Sequence, residues 1–342
     1  MMKKVIINGV RSTDIVKVPV PEPKEDWALV KIVASPMCTE YKSWIEGTII
    51  RSLGHEAAGE VVEVAQPCKV KPGDRVVLLS RFPCGKCNYC VSGNHVFCRN
   101  NYNYAQFSNT GENFATMAQY ILKPSWLLKP IPDNVSYEIA SLACCGLGPA
   151  FGASEEMKIG AFDDVLVTGC GPVGLGAVIV NKYRGARVIA AEPNEWRRKR
   201  ALELGADAVI DTGEEGALEK IREFSEDGIG VSAAIDCSGN TKAEKLCIDA
   251  TRPKGRVAFV GQGKGLTINV MSDLLLKGLT LHGIFNYNVN DYPKVMRIIK
   301  NYDIINLLIS HVYPMSQVQT AMETLESQNC AKVILKPWEG EY

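Results

Sequence analysis

The chain has 342 residues, with 38 Lys+Arg against 38 Asp+Glu, 46% hydrophobic and 22% charged residues. Balanced charge excludes a strongly basic nucleic-acid binder and an acidic tail protein, and the apolar fraction excludes a disordered chain. The length suits about two domains of about 150 residues each. Residues 165–180 are uncharged and apolar, but Gly169, Gly171, Pro172, Gly174 and Gly176 break them, and a membrane span needs about 20 apolar residues. The N-terminus has only a short apolar run before Asn8 and Arg11, less than the core of a secretory leader. A cytoplasmic protein is expected, with neither nucleic acid nor membrane as partner. In a reducing compartment, clustered cysteines bind metal or do chemistry more often than they pair.

In chain order, residues 27–34 are a β-rich run, and residues 59–65 alternate before stopping at Gln66-Pro67. A turn at 71–74 leads into an apolar strand at 76–79. Residues 81–114 are rich in Cys, Asn, Tyr and Gly and have little periodicity, so they form a lobe that needs a staple. The spacing Cys84-x2-Cys87-x2-Cys90-x7-Cys98 supplies one. Four converging thiolates suit zinc, and four protein ligands leave no open position, so this zinc is structural. Reduced free thiols or an iron–sulfur cluster are the other readings. His95, inside the lobe, is expected at the surface.

After about residue 147 strands and helices alternate. Residues 163–169 run into Gly169-Cys-Gly171-Pro172-Val173-Gly174, a G-x-G-x-x-G between a strand and a helix. The first glycine makes the turn, the second lets backbone approach a pyrophosphate, the third lets helix and strand pack, and the helix N-terminus faces the phosphates. Glu192 ends the next strand, 186–192; a carboxylate there accepts from ribose hydroxyls and repels a 2′-phosphate, favouring NAD. Arg197 and Arg198 could soften that preference. Further strands are expected at 208–210, 233–235 and 257–260. Alternating strands and helices mean a doubly wound parallel sheet. The alternation weakens from about residue 283, so the α/β block sits inside a β-rich domain that the C-terminal segment completes.

Residues 54–64, GHEAAGEVVEV, together with the lobe and the glycine loop in that order, resemble the zinc-dependent medium-chain alcohol and polyol dehydrogenases over essentially the whole chain. The resemblance implies a GroES-like catalytic domain at 1–147 and 284–342, carrying the lobe at 81–99, and an NAD-binding Rossmann domain at 148–283. It implies a second, catalytic zinc on Cys38, His55 and a later ligand. Aligning Cys-Gly on the family's Gly-Cys-Gly segment gives Cys145, with Cys144 one step off. Glu56 is then close to the metal or transiently on it. Two thiolates and an imidazole leave a fourth position open, where zinc acts as a Lewis acid on an alcohol oxygen.

One departure concerns the proton. The family has Cys-x-Ser/Thr-Asp, whereas this chain reads Cys38-Thr39-Glu40, one residue shorter. With a gap there, Thr39 is the relay hydroxyl, Glu40 replaces the Asp, and Lys42 extends the relay; without backbone compensation, Thr39 points away and Glu40 faces the metal. Only sixteen residues separate Cys38 from His55, and Trp44 among them either walls the substrate pocket or covers the core. The expected function is NAD-dependent oxidation of an alcohol, preferably a secondary alcohol, polyol, sugar or cyclitol, with two zinc ions per chain. The rivals are a zinc-independent enone or quinone reductase and a non-catalytic NAD-binding protein. A homodimer or homotetramer is expected, paired through a β segment at 266–270. Cys68, Cys170, Cys237, Cys247 and Cys330 read as core or incidental residues.

Overall fold

The structure is a computed structural model and describes residues 1–113 and 115–338. Six strands between residues 164 and 283 form one sheet, in the spatial order Ala208–Ile210, Arg187–Ala191, Asp164–Thr168, Val231–Asp236, Thr251–Phe259 and Thr280–Gly283. Every neighbouring pair is parallel. Such strands are covered on both faces and so read as apolar runs rather than alternations; all six residues of Val231–Asp236 are buried. The chain winds outward one way from Asp164–Thr168 and then the other way from Val231–Asp236. That reversal opens a crevice at the carboxyl ends of these two strands.

A second sheet has the order Ile309–Pro314, Lys332–Lys336, Trp27–Pro36, Ala57–Val64, Arg75–Leu78 and Leu128–Pro130, with Tyr120–Pro124 also paired to Trp27–Pro36. Lys332–Lys336 pairs antiparallel with Trp27–Pro36 and parallel with Ile309–Pro314. The last described strand thus completes a sheet begun near the N-terminus. Trp44, 1% exposed, packs with Val5, Ile7, Met37 and Leu53, so it covers the core.

The cysteine lobe holds one short helix, Asn88–Val91, and a 3-10 turn, His95–Phe97. It grips the segment that follows the parallel sheet. The Val289 N–H donates to the Gly93 carbonyl at 2.9 Å, and Asn288 Nδ2 donates to the Ser92 carbonyl at 2.8 Å. Gly93 is left-handed, φ +87°, and a Cβ on it would meet Asn288 Oδ1 at 2.0 Å. His95 is 2% exposed and packs edge-on against Trp126 at 5.9 Å. It is not the surface residue the sequence suggested: the turn that ends at Cys98 folds it inward.

Residues 266–270 do not form the expected strand. Residues 266–269 pair with nothing, and a π-helical turn, Val270–Leu275, starts where Asn269 accepts from the Met271 and Ser272 N–H groups. A cap that satisfies the orphan donors of a helix turns the chain out of extended geometry; the sheet edge is Thr280–Gly283 instead. No helix among the described residues is long and apolar enough to cross a membrane.

Candidate metal centres and dinucleotide crevice

Two groups of potential ligands converge. The thiols of Cys84, Cys87, Cys90 and Cys98 form one, and Cys38, His55, Glu56 and Cys145 form the other; within each, the donor atoms lie within 4.8 Å of one another. The all-thiolate set fits a closed tetrahedral zinc. The second set offers two thiolates, an imidazole and a carboxylate, which fits zinc with room for an exchangeable ligand.

Three different parts of the fold deliver the four residues of the second group. Cys38 follows Trp27–Pro36, His55 and Glu56 precede Ala57–Val64, and Cys145 sits just before the helix Gly148–Glu156. Glu40 opens the helix Glu40–Glu46 and turns back to hold two of these residues: Oε2 accepts from the Cys38 N–H at 2.7 Å, and Oε1 lies 3.0 Å from His55 Nδ1. With Nδ1–H committed to Glu40, Nε2 is left for a metal. Glu40 therefore supports a ligand and is outside the donor group. Thr39 is exposed at the N-cap and its hydroxyl makes no capping bond.

Glu56 Oε2 accepts from the Cys145 N–H at 3.1 Å, and Oε1 is bonded by the Lys332 ammonium. Both members of this ion pair are 0% exposed. Burial pushes the Glu56 carboxyl up to about 7, with Cys38 adding to it, while Lys332 and His55 pull it back. Burial opposes the Lys332 charge, but Glu56, Cys38 and Cys145 more than offset that and raise its pKa. Contact with Cys145 holds the Cys38 thiol well below the usual thiol range, and Cys38 together with burial raises Cys145. Burial disfavours an imidazolium at His55, yet Cys38, Glu40 and Glu56 raise it to about 11. Two thiols and two carboxyls, Glu40 and Glu56, thus surround His55 and Lys332. Cys144 points elsewhere, its thiol bonding the Leu78 carbonyl at 3.4 Å.

The three loop glycines meet three different demands. Gly169 is left-handed, φ +80°, and a Cβ there would meet Ser238 Cβ at 2.6 Å. Gly174 has the Gly169 carbonyl 1.8 Å from where a Cβ would lie. A Cβ on Gly171 would meet nothing within 4 Å: that space is open, as an approaching pyrophosphate needs. Gly171 caps the helix Pro172–Tyr183, with Pro172 in its first turn, where a missing N–H costs nothing; Val173 and Gly174 follow with their N–H groups at the positive helix end. Glu192 is 4% exposed and accepts from the Cys170 N–H at 2.6 Å and the Asn194 N–H at 3.0 Å. Arg198 is held by Asp211 at 2.8 Å and by the Glu192 and Pro193 carbonyls. Arg197 Nε is buried without a hydrogen-bond partner. The same helix ties crevice to metal centre: the Gly146 carbonyl lies 1.9 Å from where a Gly176 Cβ would be, one residue after Cys145.

The chain is similar to known proteins. The family description "Zinc-binding dehydrogenase" matches residues 172–301, and "Alcohol dehydrogenase GroES-like domain" matches residues 24–133. The chain is 31% identical to an L-threonine 3-dehydrogenase of Pyrococcus furiosus, covering 94% of each chain. It is 30% identical to a sorbitol dehydrogenase of Bacillus subtilis, covering 98% of this chain and 97% of that one. The chain belongs to the zinc-dependent medium-chain alcohol and polyol dehydrogenases. In fold it resembles an alcohol dehydrogenase from Thermus sp. ATN1, with a TM-score of 0.88 at 24% identity over 98% of this chain and 99% of that one. It is an oxidoreductase of that family, with a Rossmann-type parallel sheet and a GroES-like domain.

Sequence reading of this dehydrogenase missed Lys332 and Asp236. Lys332 lies 276 residues from Glu56, and its only sequence signal is a lysine opening an apolar strand. Asp236 is 0% exposed and accepts from Thr168 Oγ1, the Ser238 N–H and hydroxyl, and the Gly239 N–H. It thereby ties the two strands flanking the crevice; its sequence signal is an acid closing the short apolar run Ala233-Ala-Ile235.

Proposed function

We propose that this dehydrogenase oxidises a secondary alcohol of a small polar substrate, a polyol, sugar, cyclitol or hydroxy acid derivative, with NAD as acceptor. The observation that carries the reading is the Cys38–His55–Glu56–Cys145 donor group, set one residue from the carbonyl on which the dinucleotide helix packs. The named relatives act on threonine and, by name, sorbitol, both polar secondary alcohols. We assign two zinc ions per chain, one on Cys84, Cys87, Cys90 and Cys98, the other on Cys38, His55 and Cys145 with Glu56 beside it. When bound, the second zinc supplies Lewis acidity at the alcohol oxygen and NAD supplies the hydride acceptor. The chain's own contribution is orientation and proton handling. Glu40 fixes the His55 tautomer, Lys332 keeps Glu56 charged and in place, and the unengaged Thr39 hydroxyl receives the substrate proton and passes it outward. Glu192 accepts from the adenosine ribose, assisted by Arg197, and selects NAD.

A reducing, cytoplasmic setting suits a chain whose cysteines are free. We also read a homo-oligomer from the exposed Val270, Met271, Leu275 and Leu276 beside the open edge Thr280–Gly283. Elemental analysis, with turnover on L-threonine, sorbitol and other polyols, tests the reading. Two zinc ions and NAD-dependent oxidation support it; zinc-loaded protein inert on the whole panel with NAD refutes it. In the active protein, Thr39→Val lowers kcat with zinc retained, and Thr39→Ser restores much of it.

A further inference from the structure

A groove apart from both metal centres and from the glycine loop lies between the edge strand Leu128–Pro130 and the helix Tyr292–Asn301. Its volume is about 710 Å³, within the range of small-ligand sites, about 300–1,000 Å³, and too small for a folded partner. Tyr292 Oη donates to the Pro130 carbonyl at 2.8 Å, so helix and strand are pinned together. The groove has a fixed shape.

Its charge is one-sided. Lys129, Arg297 and Lys300 face it, and among the described residues no Asp or Glu lines it. Lys294, on the same helix, is neutralised by Glu155 at 2.7 Å and Asp291 at 2.9 Å. Among the described residues Arg297, Lys300 and Lys129 have no acidic partner. Lys69 adds a like charge beside Lys129, whose pKa is lowered by burial and by that neighbour. Three unpaired cations around one concavity repel one another and concentrate an anion there. Between them the floor is apolar, made by Tyr292 and Met296, 4% and 6% exposed, with the Asn290 amide at the rim.

We propose that this groove binds a nucleoside polyphosphate, its phosphates against Lys129, Arg297 and Lys300 and its base over Tyr292 and Met296. Three positive charges in so small a space call for several negative charges on one compact ligand. Guanidinium and ammonium donors suit phosphate oxygens, and a flat ring suits an apolar floor flanked by an amide. The proposal does not depend on the alcohol substrate.

Titration calorimetry of the zinc-loaded protein tests it, with ATP as the probe and NAD present at saturation, so that the crevice of the parallel sheet is filled. One further ATP is expected per chain, with affinity falling as salt rises. In the double variant Arg297→Glu/Lys300→Glu, binding weakens by at least about tenfold. Lys129→Gln weakens it independently. Arg297 and Lys300 are exposed, and an unchanged melting temperature shows that the double variant is folded. Tripolyphosphate binds more weakly than ATP when the floor contributes, and equal affinity refutes that placement of the base. No binding with NAD present, or ATP binding equal in wild type and double variant, overturns the proposal.

Discussion

Cys144 and Cys145 are neighbours with opposite surroundings. Burial, with Glu56 nearby, pushes the Cys144 thiol up to about 12, and its hydrogen is turned towards the Leu78 carbonyl. Cys145 lies inside the donor group, where Cys38 and burial raise its thiol. Cys145→Ser is expected to remove one zinc equivalent and turnover while the melting temperature changes little. Cys144→Ser should leave zinc and turnover near wild type. The reverse pattern would move the ligand by one position. His95 gives a second, pH-linked prediction. Burial, reinforced by Lys123, lowers it from 6.5 to about 4. The unfolded chain therefore binds its proton first, and the folded state loses stability as pH falls from about 6.5 towards 4. With zinc present, the melting temperature of wild type should drop more between pH 7 and pH 5 than that of His95→Phe. Equal drops would assign the acid response to other groups, such as the lobe thiolates. The two converging donor groups were legible because cysteine spacing and the GHE run carry local signals. Lys332 was not, since its meaning comes from a carboxylate that only the folded sheet brings to it. His95 was misread because a lobe without an apolar core still has an inside, against Trp126.

At the scale of elements, the glycine loop separates folding from binding. Gly174→Ala places a Cβ against the Gly169 carbonyl, and Gly169 needs a left-handed backbone, so either change to Ala should lower stability. Gly171→Ala meets no protein atom. It should melt like wild type and yet bind NAD much more weakly, as read by nicotinamide-dinucleotide titration. Full NAD affinity in that variant would mean that the open space has another use. Five of the six parallel strands were readable from the sequence because burial leaves apolar runs; Thr280–Gly283, at the sheet edge and largely uncovered, was not. Residues 266–270 alternate as a strand should, yet extended geometry needs a ladder partner, and the Asn269 side chain instead satisfies the first N–H groups of a helical turn. Alternation alone does not supply that partner.

For the molecule as a whole, the sequence showed that a β-rich part surrounds an α/β part. It could not show that Lys332–Lys336 would lie directly beside Trp27–Pro36, because pairing across about 300 residues leaves no local mark. That pairing brings Lys332 onto Glu56 of the second donor group, so sheet closure and site electrostatics are one event. Losing the Lys332 charge would leave Glu56 buried and unpaired, a change that typically costs about 3–5 kcal/mol.

The contacts of Ser92 and Gly93 with Asn288 and Val289 give the cysteine lobe a mechanical role. The chain passes between its two larger sheets twice, near residues 145–150 and near 284–292. These passages touch, since a Cβ on Gly148 would meet Tyr287 at 2.8 Å and one on Gly152 would meet the Asn286 carbonyl at 2.8 Å. Lobe, second passage and first passage form a stack, so a metal held by the four thiols would act as a strut for the joint between the two larger sheets. A loosened strut should leave the alcohol chemistry intact and make the cofactor harder to enclose. Asn288→Ala is expected to keep both zinc ions and the melting temperature while raising the KM for NAD more than that for the alcohol. Equal changes in both constants, or none, would show that the joint holds its angle without the lobe.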